Sequence, residues 1–226
     1  MKRLFFSALL SSVLTPSTAR AEIVVSQLVV ELQPGKVARQ DVEIWNNDKD
    51  RAYVAIEPHR IVDAGQPTER RVEDPDPEKL GLLVSPARMV LEPGQHKLLR
   101  FADIVPPSDR ERVYRVTIKP VVGDITANQS GLKVLIGYDA LVMVRPAVAI
   151  EKVTAERSGP RINWRNEGNV SAELSEGRQC SSAGQGCVDL PGKRLYPGAS
   201  WSVELKNDGP VEYVVRSPGG ISKRKL

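Results

Sequence analysis

Aromatic residues are scarce in this chain of 226 residues, 5% in all, with three Trp, five Tyr and three Phe. They form no cluster of the kind a sugar-binding surface uses for stacking. Histidine is scarcer, with only His59 and His96, which are far apart in sequence from each other and from the cysteines. Neither stands in a His-x-x-His or His-Glu-x-x-His context. No Gly-x-Ser-x-Gly marks a nucleophile elbow, and no glycine-rich phosphate loop follows a strand. The sequence therefore predicts no catalytic residue, no metal site and no cofactor. The carboxylates Asp74, Asp76 and Glu78 cluster in a proline-rich stretch and read as a solvated acidic surface.

Long apolar runs are absent too. No segment reaches the roughly 20 apolar residues of a membrane helix, so membrane insertion is not predicted. The first residues have the form of an export signal. Met1-Lys2-Arg3 supplies a positive start, Leu4 to Leu14 an apolar stretch, and Ala19-Arg20-Ala21 a small-x-small cleavage pattern. The alternative, a buried N-terminal helix, does not explain those flanks. With residues 1–21 assigned to a signal peptide, the mature chain is expected to begin at Glu22. The formal charge of +4 then falls, because removing Lys2, Arg3 and Arg20 leaves 29 basic against 28 acidic residues. A net charge of +1 gives no electrostatic case for nucleic acid as a partner.

What the chain has in quantity is punctuation. Its 17 Gly and 17 Pro favour many short strands joined by turns. From Ile23 onward, apolar and polar residues alternate in short runs: Val42 and Ile44 before Asn46-Asn47-Asp48, then Ala52, Val54 and Ile56 up to Pro58. Such strands have one dry and one wet face, as in a two-sheet sandwich. Asp63 to Lys79, with three prolines and many charges, reads as an exposed loop. Strands are predicted again at residues 82–84, 89–91 and 97–101. Two stronger segments follow, Arg112 to Val122 and Leu132 to Val144, joined by a polar connection over residues 123–131. Thirteen residues at ~3.3 Å each give the second segment a span of ~43 Å, about twice an ordinary strand.

Arg145-Pro146 breaks the ladder and marks a domain boundary. Beyond it, strands are predicted at 148–153, 162–164, 170–174, 201–205 and 211–215, separated by turn residues such as Pro197-Gly198 and Asn207-Asp-Gly-Pro210. No internal repeat stands out. The predicted fold is all-β, two immunoglobulin-like β-sandwich domains in tandem, over residues 22–145 and 146–226. Cys180 and Cys187, close together in a Gly/Ser-rich stretch of an exported chain, read as a disulfide closing a small loop. A metal or redox pair is the alternative, and the spacing favours neither. The sequons at Asn128 and Asn169 carry no weight.

Several stretches resemble the periplasmic chaperones of chaperone-usher pilus systems. They are Gly81-Leu-Leu-Val-Ser-Pro-Ala-Arg-Met-Val-Leu-Glu-Pro-Gly94 with Leu99-Arg100-Phe101, Arg112-Val-Tyr-Arg-Val-Thr-Ile-Lys119, and the long strand ending in Arg145-Pro146. Tyr114-Arg115-Val116, Asn166-Glu-Gly-Asn-Val170, the late cysteine pair and Tyr196-Pro-Gly198 are most similar to the alternate branch serving colonisation-factor and common-pilus fimbriae. The resemblance implies a periplasmic protein that lends a strand to incomplete pilus subunits and hands them to an outer-membrane usher. By that resemblance Leu132, Val134 and Ile136 are the donor residues. Better-known members hold the subunit's terminal carboxylate with an arginine on the first strand and a lysine near the Arg-Pro, but here Val29 and Leu141 occupy those places. Antiparallel pairing of the two long strands would bring Arg112 or Arg115 near Arg145, and Arg115 is the first choice as a substitute anchor. Capping of the exposed edge, by dimerisation or by residues 123–131, is a further expectation. The competing reading is a two-domain adhesin or carbohydrate-binding module.

Overall fold

The computed structural model describes residues 23–33, 38–121, 135–182 and 184–226. The first half holds β1 (Ile23–Val25), β2 (Val29–Leu32), β3 (Arg39–Asn46), β4 (Ala52–Val62), β5 (Arg70–Val72), α1 (Pro77–Leu80), β6 (Leu83–Ser85), β7 (Arg88–Leu91), β8 (His96–Ala102), β9 (Arg112–Val121) and β10 (Tyr138–Val144). One sheet runs β1-β3-β8-β6 and the other β2-β10-β9-β4-β5, with β7 also on β4. Alternation in the strands places Val42, Ile44, Leu99 and Phe101 of the first sheet against Val54, Ile56, Tyr114, Val116, Ile118, Ala140 and Val142 of the second. The chain crosses between the sheets after β1, so that β2 lies parallel to β10.

The second half holds β11 (Val153–Ser158), β12 (Arg161–Asn166), β13 (Ala172–Gln179), β14 (Val188–Leu190), β15 (Lys193–Leu195), β16 (Ser200–Glu204), β17 (Val211–Ser217) and β18 (Gly220–Lys225). Its sheets run β11-β12-β16 and β14-β13-β17-β18, with β15 also on β13. They enclose a smaller core around Trp164, Leu174, Leu195, Val203 and Tyr213. Trp164 and Trp201 both meet the Tyr213 ring edge-on, at 5.2 and 6.2 Å between centroids. Burial pushes the Tyr213 hydroxyl up to about 12. A raised folded pKa favours the neutral phenol, so this stabilisation is complete below the unfolded value near 10 and is lost as the pH rises toward 12. Urea unfolding is expected to show stability falling by up to about 3 kcal/mol across that interval, and Tyr213→Phe to flatten the fall.

The two sandwiches share a clasp built from one asparagine and one Pro-Gly turn. Asn46 ends β3 fully buried, donates to the carbonyls of Asp50 and Leu91, and accepts from the Asp48 amide. Asn166 ends β12 fully buried, donates to the carbonyls of Val170 and Leu195, and accepts from the Gly168 amide. The amide of Gly94 bonds to the Asn46 carbonyl as that of Gly198 does to Asn166. The internal repetition is thus one of side-chain hydrogen bonding, which sequence periodicity does not display.

Several expectations are corrected. Part of the stretch read as a loop is ordered. Residues Arg70–Val72 form edge strand β5 against β4, and Asp76, followed by Pro77, caps α1. The strand expected over 148–153 starts only at Val153. Residues 147–150 are exposed and non-strand because Asn169, not a neighbouring strand, takes up their backbone groups, bonding to the Ile150 amide and the Val148 carbonyl. Asn169 also bonds the Asp109 carbonyl, which accounts for that residue structurally. The basic strand β18, with every residue exposed, has no apolar alternation to reveal it. Cys180 and Cys187 are joined in a disulfide. Residues 1–21, Asn128, the connection 123–131, Leu132 and Val134 lie outside the described residues. Among the described residues, no helix is long and apolar enough to cross a membrane.

Candidate functional site

The outer face of the β2-β10-β9-β4 sheet turns away from the first core and toward the second sandwich. Its alternate residues are therefore the ones that meet the domain junction: Leu141 and Met143 on β10, Val113 and Arg115 on β9, His59 and Ile61 on β4. Ile61, Ala64, Val113, Leu141 and Met143 form one apolar cluster with Tyr196 and Ala199 from the second sandwich. The loop after β4 presses on the same turn, and at Gly65, with φ +73, a side-chain carbon would lie 3.1 Å from the Tyr196 ring.

Polar residues seal the junction beside this cluster. The Arg145 guanidinium, 4% exposed, reaches the Glu111 carboxylate and lies 2.9 Å from that of Glu31. Glu111 in turn accepts from the amide and hydroxyl of Ser171 in the second sandwich, at 3.0 and 3.2 Å. Arg145, the residue after β10, thus sits in an ion network whose other members are Glu31 on β2, Glu111 just before β9 and Ser171 just before β13. Arg112 is likewise engaged. Its side chain is 8% exposed and donates to both Asp103 oxygens at 2.8 Å.

Arg115 is placed differently. It is paired across β9 and β10 with Leu141, and Leu141 with Val29 on β2, so Val29, Leu141 and Arg115 form one row across three strands. His59 extends the row on β4. The pair expected from sequence to replace the usual cations, Val29 and Leu141, is side by side and apolar. Asp139 is nearby, but Arg71 already grips its carboxylate with two bonds of 2.7 and 3.3 Å. Arg115 lies 3.9 Å from that carboxylate and 3.4 Å from the Asp139 carbonyl, with its side chain 35% exposed. Burial raises the pKa of the Tyr196 hydroxyl, with the cations of Arg115 and Arg194 pulling it down and the carboxylates of Glu111 and Glu69 pushing it up.

At the other end of β10 the strand begins only at Tyr138, whose hydroxyl donates to the Ile23 carbonyl. Ile136, just before it, is 49% exposed, and among the described residues Tyr138–Ala140 pair only with β9, since β2 pairs with Leu141–Val144. Sequence reasoning missed Glu111, Glu31 and Ser171. Their only sequence signal is that Glu111 immediately precedes a strand and an arginine ends the strand with which it pairs. His59 and His96 are dispersed in the structure as in the sequence, bonded to Glu73 and Glu43 respectively.

The fold and its junction define a two-sandwich protein with an apolar, arginine-flanked face and a strand edge left open beside it. Residues 22–149 match the family of pili and flagellar-assembly chaperones through its PapD N-terminal domain, and the chain belongs to that family. The whole chain aligns with a CFA/I fimbrial protein of Escherichia coli, 27% identical over 236 residues and 97% of that protein. It aligns equally fully with a CS1 fimbrial protein of Escherichia coli, 26% identical over 98% of that protein. Among solved structures it is similar to the class 5 fimbriae chaperone CfaA, with a TM-score of 0.67 at 24% identity, over 90% of this chain and 98% of the other. The chain is a pilus-assembly chaperone of the colonisation-factor branch.

Proposed function

We propose that the protein works in the periplasm, holding pilus subunits by strand donation until an outer-membrane usher takes them. Leu132, Val134 and Ile136 are the donor residues, and the domain boundary falls at Arg145-Pro146. The observation that supports this reading is the free edge of β10 at Tyr138–Ala140, which among the described residues pair with β9 and not with β2, with half-exposed Ile136 just before them. An unpaired edge with outward apolar side chains is the template to which another chain adds a strand. A subunit lacking its last strand has the complementary deficit. Alternate donor residues would fill its groove while backbone groups complete its sheet, and no nucleotide is needed.

Within the junction, Arg115 is the residue proposed to bind the subunit's terminal carboxylate. Arg112 and Arg145 were candidates for the same role, but Asp103, Glu111 and Glu31 already neutralise them. Arg115 is exposed enough to accept an incoming ligand, and its one acidic neighbour is held by Arg71. The bound chain's last side chain would then rest on Val29 and Leu141.

Co-expression with an otherwise unstable pilus protein tests the function. A stoichiometric complex is expected, with no glycan or matrix binding by the chaperone alone, whereas an adhesin would give the opposite pair of results. Arg115→Ala is expected to reduce affinity for the client about tenfold, the loss of one charge-assisted contact of about 1.5 kcal/mol. Unchanged client recovery with Arg115→Ala would remove Arg115 from the site.

A further inference from the structure

Asp139 stands on the stretch of β10 that pairs with β9 and not with β2, two residues before Leu141 and on the same outward face. Its carboxylate meets three side chains. Arg71, on the strand β5 that forms the opposite edge of the sheet, donates two bonds to it, at 2.7 and 3.3 Å. Thr117 on β9 adds a longer one of 3.5 Å. Arg115 stays 3.9 Å from the carboxylate and makes a contact of 3.4 Å with the Asp139 carbonyl instead. All three charged side chains face water, Arg71 being 49% exposed, Asp139 38% and Arg115 35%. One carboxylate thus lies between two guanidiniums, and the one from the far edge of the sheet holds it.

We infer that Arg71 is a positioning residue for client binding: by holding Asp139 it keeps the Arg115 guanidinium free for the client's terminal carboxylate. The inference rests on the reading of Arg115 as the anchor and adds to it the pair of residues that sets the anchor's availability. A guanidinium makes its two-bonded fork with one carboxylate at a time, so Asp139 and the client's terminus are rivals for Arg115. Asp139 is tethered beside that arginine and competes at a high effective concentration, which a diffusing client has to overcome. The fork that Arg71 presents gives Asp139 a better-aligned partner. It also neutralises a negative charge that would otherwise repel a second carboxylate arriving beside it. Arg71 therefore acts without touching the client. Thr117 and Arg71 both bond to Asp139 on its outward face, so an asparagine there keeps the shape and an acceptor while losing the rival charge.

A competition experiment tests it. Wild-type and variant chaperones carrying different tags are co-expressed with one colonisation-factor pilus subunit, and the ratio of subunit captured by each tag gives the fold-change in affinity. Arg71→Gln is expected to capture about fivefold less than wild type, the effect of one exposed ion pair re-formed at Arg115. Asp139→Asn is expected to capture about threefold more. In the Asp139→Asn background, Arg71→Gln should change capture by less than about 1.5-fold, because no rival charge is left to restrain. Equal losses for Arg71→Gln in both backgrounds would overturn the inference, since a direct client contact or a merely structural tie of β5 to β10 predicts that result. Unimproved capture by Asp139→Asn would overturn it as well. Arg115→Ala, run alongside, separates the two readings. If it leaves capture unchanged, the anchor and this inference fall together. If it lowers capture while the Arg71 and Asp139 effects simply add, the anchor stands and only the positioning role is lost.

Discussion

Replacing Leu132, Val134 and Ile136 together by aspartate is expected to abolish recovery of client subunits while leaving the chaperone folded and as abundant as before. The magnitude follows from burial. A Leu, Val or Ile side chain taken fully out of water contributes about 1.5–3 kcal/mol. Three such side chains seated in a client's groove amount to about 5–8 kcal/mol, so their loss weakens the complex at least a thousandfold. Charged replacements add the desolvation of three carboxylates with no partner in an apolar groove. The chaperone's own stability is expected to hold, because Ile136 is 49% exposed and takes no part in the first core. Pull-down of tagged chaperone from periplasmic extracts, with circular dichroism of each variant, separates the two effects. Clients captured at wild-type levels by the folded triple variant would show that the strand serves only its own sandwich.

Much of the fold was legible because it rests on alternation. The strands around Val42, Val54, Val116 and Val142 declare a dry and a wet face, and the structure buries the dry one. Strands without that signal were not legible. β5 and β18 consist mainly of charged and small residues and form through backbone pairing at a sheet edge, so nothing in their side chains separates them from loops. The converse error arose at residues 147–150, apolar in sequence yet exposed in the fold, because Asn169 supplies hydrogen bonds that a strand would otherwise provide.

The candidate site divides along the same line. Antiparallel pairing of the two long strands sets the start of β9 beside the end of β10, and that pairing is observed, with Arg112 opposite Val144 and Arg115 opposite Leu141. The roles of Arg112 and Arg145 could not be read in this way. Each is neutralised by a carboxylate that alternation does not point to, Glu31 being 114 positions from Arg145, and only the folded chain brings these charges together. A buried ion pair leaves no periodic trace, since one residue at each of two positions is enough to make it. The consequence for function is a division of labour. Arg145 ties the two sandwiches together through Glu111 and Ser171, Arg112 is neutralised by Asp103 within the first sandwich, and Arg115 is the least engaged of the three.

Removing the Arg145 side chain should therefore be the most damaging single substitution to the chaperone itself. Arg145→Ala is expected to destabilise the protein by about 3–5 kcal/mol, the range for breaking a buried charge pair from one side. The Glu111 side chain is completely buried, and without Arg145 its carboxylate keeps only the Ser171 donors. Its alternatives are to bind a proton or to open the junction to water. Because Ser171 and the Asn169 carbonyl bind Glu111 from the second sandwich, opening would change the angle between the sandwiches and with it the face bearing Arg115. Client binding should fall along with stability. Pairing the loss with Glu111→Gln removes the stranded charge, so the double variant should recover a large part of the stability that Arg145→Ala loses. Urea unfolding of the two single variants and the double variant measures this coupling directly. A loss under about 1 kcal/mol for Arg145→Ala, or strict additivity in the cycle, would mean that the network is solvated and does not set the junction.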